Sequence, residues 1–198
     1  SLLLINQHSF KTKNHEMKYR SLFFLYAITF LFACKTIEPN KNEVRVERKN
    51  AAKAEKGKVN KDIADFLVSA ADGRMMGMKQ GKLAVLKGTT SEIRAYGQLM
   101  ESDQAKMLKV IKKLAKKRKI TLPRIISAEK EDGFKDLTAK SDKAFDKKFI
   151  KMMKIDHKRD IKEFKNAREF NDPEIKAFAE EYLPMIQSHL DKLDGLKD

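Results

Sequence analysis

Three polar residues interrupt apolar helical stripes, and each could ligate a metal or exchange a proton. Ile93, Gly97, Met100, Gln104, Met107, Ile111 and Leu114 advance by threes and fours, which keeps them on one helix face and turns Gln104 inward. Ile150, Met153, His157, Ile161 and Phe164 do the same for His157, and Phe178, Tyr182, Ile186, His189 and Leu193 for His189. Counted along their helices, Gln104 and His157 fall at similar heights, and His157 and His189 lie at comparable distances from Asn171. The three are therefore expected to meet, directly or through water, as a buried polar cluster. Two chemistries fit them. The imidazoles, with the neighbouring carboxylates Asp103 and Asp156, could hold a metal ion, with soft sulfur ligands from Met75, Met76 and Met78. Alternatively the cluster is structural, because buried imidazoles and amides must be hydrogen-bonded.

A di-metal centre in a four-helix bundle needs a Glu on each of two helices and Glu-x-x-His on each of the other two. This chain offers Glu101-x-x-Gln104, Lys154 three residues before His157, and Ile186 three residues before His189. Methionines at core spacing usually fill space. No cofactor is expected. There is no Gly-rich phosphate loop, nucleophile elbow or His-Glu-x-x-His, so the domain is expected to be non-enzymatic, with a binding, structural or stress-protective role.

The elements that must position these residues are helices; no stretch alternates like a strand. Long helices are expected over 61–87, 91–117, 141–170 and 173–193, with a short one near 129–137. Gly88-Thr89-Thr90 and Asn171-Asp172-Pro173 are tight helix junctions, and Pro184 is expected to kink the last helix. Short links make two antiparallel hairpins, and the long link 118–140 joins them. The expected fold is all-α, a ferritin-like four-helix bundle with a long crossover between its second and third long helices. Met100-x-x-Asp103-Gln104 echoes Met153-x-x-Asp156-His157, as two related hairpins would.

Upstream, Met17 to Cys34 reads Lys18 and Arg20, then a compact apolar run, then Leu31-Phe32-Ala33-Cys34, with Cys34 the single cysteine. The run is shorter than the roughly twenty residues that span a bilayer, and it has the layout of a secretion signal with a lipobox. Cys34 is the expected lipidation site. Residues 1–34 are read as the signal region, with 1–16 an over-extended start before Met17. Lys35 after the cysteine, rather than Asp, points to an outer membrane and a periplasm-facing domain.

The net charge is +15. Without residues 1–34 the 43 basic and 28 acidic residues become 39 and 27, a charge near +12. Such an excess suits anionic envelope polymers or lipid headgroups, with the membrane reached through the N-terminal lipid; nucleic acid is not expected to meet an exported chain. The same charge is also consistent with an ordinary solvated helical surface. Residues 35–60 carry few aliphatics and are expected to be a flexible tether, with the bundle over 61–198.

Phe66-Leu67-x-x-Ala70-Ala71, Gly81-Lys82-Leu83-Ala84, Met100-x-x-Asp103, Ile120-Thr121-Leu122-Pro123, Ala144-Phe145-Asp146-Lys147, Asp156-His157 and Leu183-Pro184 with His189 together resemble a bacterial envelope family of unknown function, the DUF4142-like proteins. The resemblance spans about 63–193. It implies a ferritin-like fold and an outer-membrane location. It also implies a His after the first Asp and a Glu in the first long helix, where this chain has Gln104 and Gly77. A metal site of that family would thus be incomplete here.

Overall fold

The computed structural model describes residues 37–196; the leader read over 1–34, with Cys34, lies outside the described residues. Six helices follow one another: α1 (Lys41–Glu55), α2 (Lys61–Lys87), α3 (Ser91–Lys117), α4 (Ala128–Thr138), α5 (Asp142–Ala167) and α6 (Pro173–Asp194). No strand occurs among the described residues. The long helices start where side chains can satisfy the first free amides. Asn60 accepts from Ile63 N, Thr90 from Ile93 N, and Asp172 from Glu174 N and Ile175 N with Pro173 at the first turn.

Cross-helix partners fix the topology. Ser69 meets Glu163, Arg74 meets Asp160 and Gln80 meets Asp156, so α2 and α5 are antiparallel. Asp103 meets His189 and Lys117 meets Glu174, so α3 and α6 are antiparallel too. With α2–α3 and α5–α6 as hairpins, α3 and α5 run parallel on one diagonal of the bundle. The chain must therefore climb the whole bundle between them. It does so through α4, which packs on α2 and α5, and Lys87 Nζ ties the crossover's end by donating to the carbonyls of Thr138 (2.6 Å) and Lys140 (2.7 Å). This is the ferritin-like order.

Two apolar clusters fill the two halves of the bundle. One gathers Phe66, Leu67, Met107, Ile111, Phe164 and Phe178, with Phe66 edge-on to Phe164. The other gathers Tyr96, Met100, Phe145, Phe149, Met153 and Leu193. Between their residues along the helices lies a buried polar belt that includes Arg74, Gln104, His157, Asp160 and His189. Near the second cluster α2 and α3 approach backbone to backbone: a Cβ on Gly97 would lie 2.7 Å from the Gly81 carbonyl oxygen and 2.9 Å from Ala84 Cβ.

The flexible tether expected over 35–60 is corrected by α1. Asn40 and Glu43 form a reciprocal capping box, and Val46 and Asn50 are buried. What holds α1 is hydrogen bonding more than apolar burial. Asn50 Nδ2 donates to the Thr121 carbonyl (2.9 Å), Thr121 N donates to Asn50 Oδ1 (2.8 Å), Ala128 N donates to Glu43 Oε2 (2.8 Å), and Lys53 Nζ donates to the Lys119 carbonyl (2.6 Å). A segment too polar to make its own core is thus docked on the crossover by its side-chain amides and charges.

Candidate functional site

The polar belt brings one face of each long helix to mid-bundle, as the apolar stripes require. His157 from α5 and His189 from α6 face each other with ring centroids 5.6 Å apart. Gln104, expected to join them, hydrogen-bonds to neither among the described residues. Its side chain packs over Gly77 of α2, where a Cβ would lie 3.0 Å from Gln104 Cγ, and its amide nitrogen sits 3.9 Å from Met100 Sδ. The missing side chain at Gly77 makes the room that Gln104 fills.

The histidines instead bond to Tyr96, which the sequence reading passed over, and to Asp103, which it named only as a candidate metal ligand. Tyr96 Oη lies 2.8 Å from His157 Nε2 and donates to the His189 carbonyl at 3.3 Å. A carbonyl can only accept, so the shorter contact is completed by His157 Nε2–H donating to the hydroxyl. Asp103 Oδ2 lies 3.1 Å from His189 Nε2, which fixes the proton of that imidazole on Nε2. Both histidines therefore turn an Nδ1 lone pair into the interior, and neither Nδ1 has a hydrogen-bond partner; nor do Arg74 Nε, Gln80 Oε1 and Gln104 Oε1.

The belt's charge is set by Arg74 and Asp160, both buried and ion-paired to each other; Arg74 Nη1 also lies 2.9 Å from Met107 Sδ. Leu67, Ala70, Gly77 and Gly81 of α2 and Met153, His157 and Phe164 of α5 share stripes with these two residues. A lone Arg and a lone Asp on facing apolar stripes are a readable sign of such a pair. Removing one partner of a buried pair typically costs about 3–5 kcal/mol, because the other charge stays buried. Burial, then the charges of Arg74 and His189, push the His157 pKa down to about 3. Burial also lowers that of His189, against the opposing pull of Asp103. Both rings are neutral near pH 7. Burial raises Asp156 and Glu163, while Arg159 pulls each the other way.

A di-metal centre does not fit this donor set. Asp160 is committed to Arg74, Asp103 to His189 and Lys106, and Asp156 to Gln80 (3.3 Å) and Arg159 (2.7 Å). No group of three His, Cys, Asp or Glu side chains converges among the described residues. Of the methionines expected as soft ligands, Met75 and Met78 share a helix face and pack on the apolar cluster of Phe66, while Met76, turned by about 100° from Met75, is buried. The guanidinium of Arg74 is itself the cation of the belt.

A family model described as a domain of unknown function, DUF4142, matches residues 48–196. The chain belongs to this family. The DUF4142 match begins inside α1, so the second half of α1 is part of the family domain, and it runs through all five later helices. A crystal structure of a DUF305 fragment from Deinococcus radiodurans is similar in fold, with a TM-score of 0.62, 10% sequence identity, and coverage of 69% of this chain and 95% of that one. At that identity the likeness speaks for the helical fold alone. No curated protein matches the chain.

Proposed function

We propose that this DUF4142 protein is a cell-envelope lipoprotein, held at the membrane by lipid on Cys34, whose bundle is a non-enzymatic binding or structural module. The observation that carries the non-enzymatic part is the Arg74–Asp160 pair. Where a ferritin-like bundle would place carboxylates around a metal, this chain places a fixed positive charge whose counter-ion is already supplied. The buried polar residues then align four helices, and the outer surface does the work. The lipidation reading rests on Leu31-Phe32-Ala33-Cys34, and the outer-membrane reading on Lys35.

One observation favours a metal-binding alternative. Asp103 orients His189 as a carboxylate orients a metal-bound imidazole, leaving Nδ1 without a partner, as is Nδ1 of His157, whose ring centroid lies 5.6 Å away. Elemental analysis of protein purified without chelator decides between the two. Substoichiometric metal, unchanged in His157→Ala and His189→Ala, is the expected result; one equivalent of iron, zinc or copper lost in both variants would establish the alternative. Membrane fractionation and intact mass of Cys34→Ala test the anchor, with release from the membrane or failure of processing expected.

A further inference from the structure

The order of α1 changes how the anchored domain must sit. With α1 folded onto the bundle, only residues 35–39 separate Cys34 from the capping residue Asn40. Fully extended, that link reaches about 20 Å. So short a link keeps the corner from which it leaves within about 20 Å of the anchored residue and makes that corner the part of the domain nearest to lipid headgroups most of the time.

That corner has the composition such a contact needs. Val46 and Asn50 face the bundle, which leaves Lys41, Val44, Arg45, Arg48 and Lys49 on the opposite side of α1. With Pro39 they line an open hollow of about 420 Å³. None of the four cations has a carboxylate within ion-pairing distance among the described residues; Arg45 donates only to the Asn42 amide oxygen. The large apolar side chains exposed on the described surface are Ile37, Val44, Leu86, Ile125 and Ile155, and three of these five gather here. Ile37 lies on the link, Val44 on α1, and Ile125 beside it in the crossover. Arg124 N reaches Asn42 Oδ1 (3.4 Å) and Asn40 Nδ2 reaches the Ile126 carbonyl (3.0 Å), which sets Ile125 against the first turn of α1. Exposed apolar side chains among lysines and arginines that outnumber the neighbouring acids Glu38 and Glu47 are the pattern of an interfacial surface, where each cation near an anionic membrane contributes about 1 kcal/mol.

We propose that the start of α1 and residues 124–125 form a membrane-contact surface, with Ile37, Val44 and Ile125 entering the headgroup layer and Lys41, Arg45, Arg48 and Lys49 binding anionic phospholipid. The proposal takes its geometry from the Cys34 anchor proposed above. On this reading the lipid holds the protein and the corner sets its orientation, turning other faces of the bundle to the solvent.

The chain has no tryptophan, so a single introduced indole is an unambiguous reporter. The lipoprotein carrying Val44→Trp is reconstituted in vesicles of phosphatidylcholine with and without phosphatidylglycerol, and Ile155→Trp, on the exposed side of α5, serves as the second position. The expected result is blue-shifted emission and quenching by brominated lipid for Val44→Trp in anionic vesicles, with Ile155→Trp in water. Adding Lys41→Gln, Arg45→Gln, Arg48→Gln and Lys49→Gln should remove most of the shift. Emission from Val44→Trp that stays water-like, or a shift at Ile155→Trp instead, would overturn the contact. Intact mass of the same samples reads Cys34 acylation separately. A chain without lipid whose Val44→Trp still inserts would sink the anchor and leave the surface standing.

Discussion

His157 and His189 are the residues most able to betray the belt's character in solution. Their pKa values are lowered by burial, with Arg74 facing both rings, Asp103 and Lys192 near His189, and Tyr96 bonded to His157. The folded His157 stays neutral down to about pH 3, whereas the unfolded chain takes up the proton near pH 6.5. Between those values the unfolded state binds more protons, so stability falls as the pH falls through that window. The slope approaches about 1.4 kcal/mol per pH unit for each such histidine. Asp156 and Glu163, whose pKa values are raised, act in the opposite sense: their contribution is present at low pH and is lost as the pH rises through their folded values. The difference between wild type and His157→Gln isolates the imidazole. Urea unfolding at pH 7.5 and 5.5 should show the wild type losing more stability on acidification than His157→Gln; equal losses would mean that His157 is not held neutral by the fold. Of this chemistry, the inward pointing of Gln104, His157 and His189 was legible, because stripe position is a property of one helix. Their partners were not. Whether His157 finds Gln104 or Tyr96 depends on axial offsets of a few ångströms between helices, which periodicity does not carry.

Element boundaries were legible for the four long helices to within a few residues, since Asn60, Thr90 and Asp172 mark starts and Gly88 and Pro173 mark breaks. α1 was not, because its stability comes from Asn50, Lys53, Asn40 and Glu43 bonding to a loop some seventy to ninety residues away in the chain. Polar composition alone cannot distinguish a tether from a helix fastened by amides. The repeat noticed in the sequence acquires a geometric sense. Its two copies lie on the parallel diagonal helices α3 and α5, and each copy's aspartate reaches the next hairpin, Asp103 to His189 and Asp156 to Gln80. At the α2–α3 crossing the sequence showed two glycines without saying they meet. Gly97→Ala would press a methyl against the Gly81 carbonyl and Ala84 Cβ. Although Ala is the better helix former by about 1 kcal/mol, the backbone atoms it meets cannot rotate away. A net loss of about 1–3 kcal/mol is expected from overpacking, read as a lower melting temperature. An unchanged or raised melting temperature would show that the two helices can separate without cost.

At the scale of the whole molecule, charge is sorted by side. On α5 the acids Asp146, Asp156, Asp160 and Glu163 turn toward the protein, while Lys143, Lys147, Lys151, Lys158, Lys162 and Lys165 lie exposed within about a third of the helix circumference. None of the six makes an ion pair among the described residues; the neighbouring Lys154 holds Asp194. The second half of α3 is similar, with Lys109, Lys112, Lys113 and Lys116 exposed, no acid among them and no ion pair to any of the four among the described residues, while Lys106 holds Asp103. Stripes of like charge repel across a few ångströms of water, and the repulsion belongs to the folded state, which fixes their spacing. Salt weakens it, since the Debye length falls from about 30 Å at 0.01 M to about 10 Å at 0.1 M. Salt also weakens the exposed pairs, but those contribute little individually, and the buried Arg74–Asp160 pair is shielded from it. The unpaired lysines should therefore decide the sign. The melting temperature is expected to rise as sodium chloride goes from 10 to 300 mM. Replacing Lys147, Lys151, Lys158 and Lys162 by Glu in one variant places opposite charges beside the remaining lysines, and should abolish or invert that rise. A wild type whose melting temperature falls with salt would mean that surface attraction outweighs the lysine repulsion.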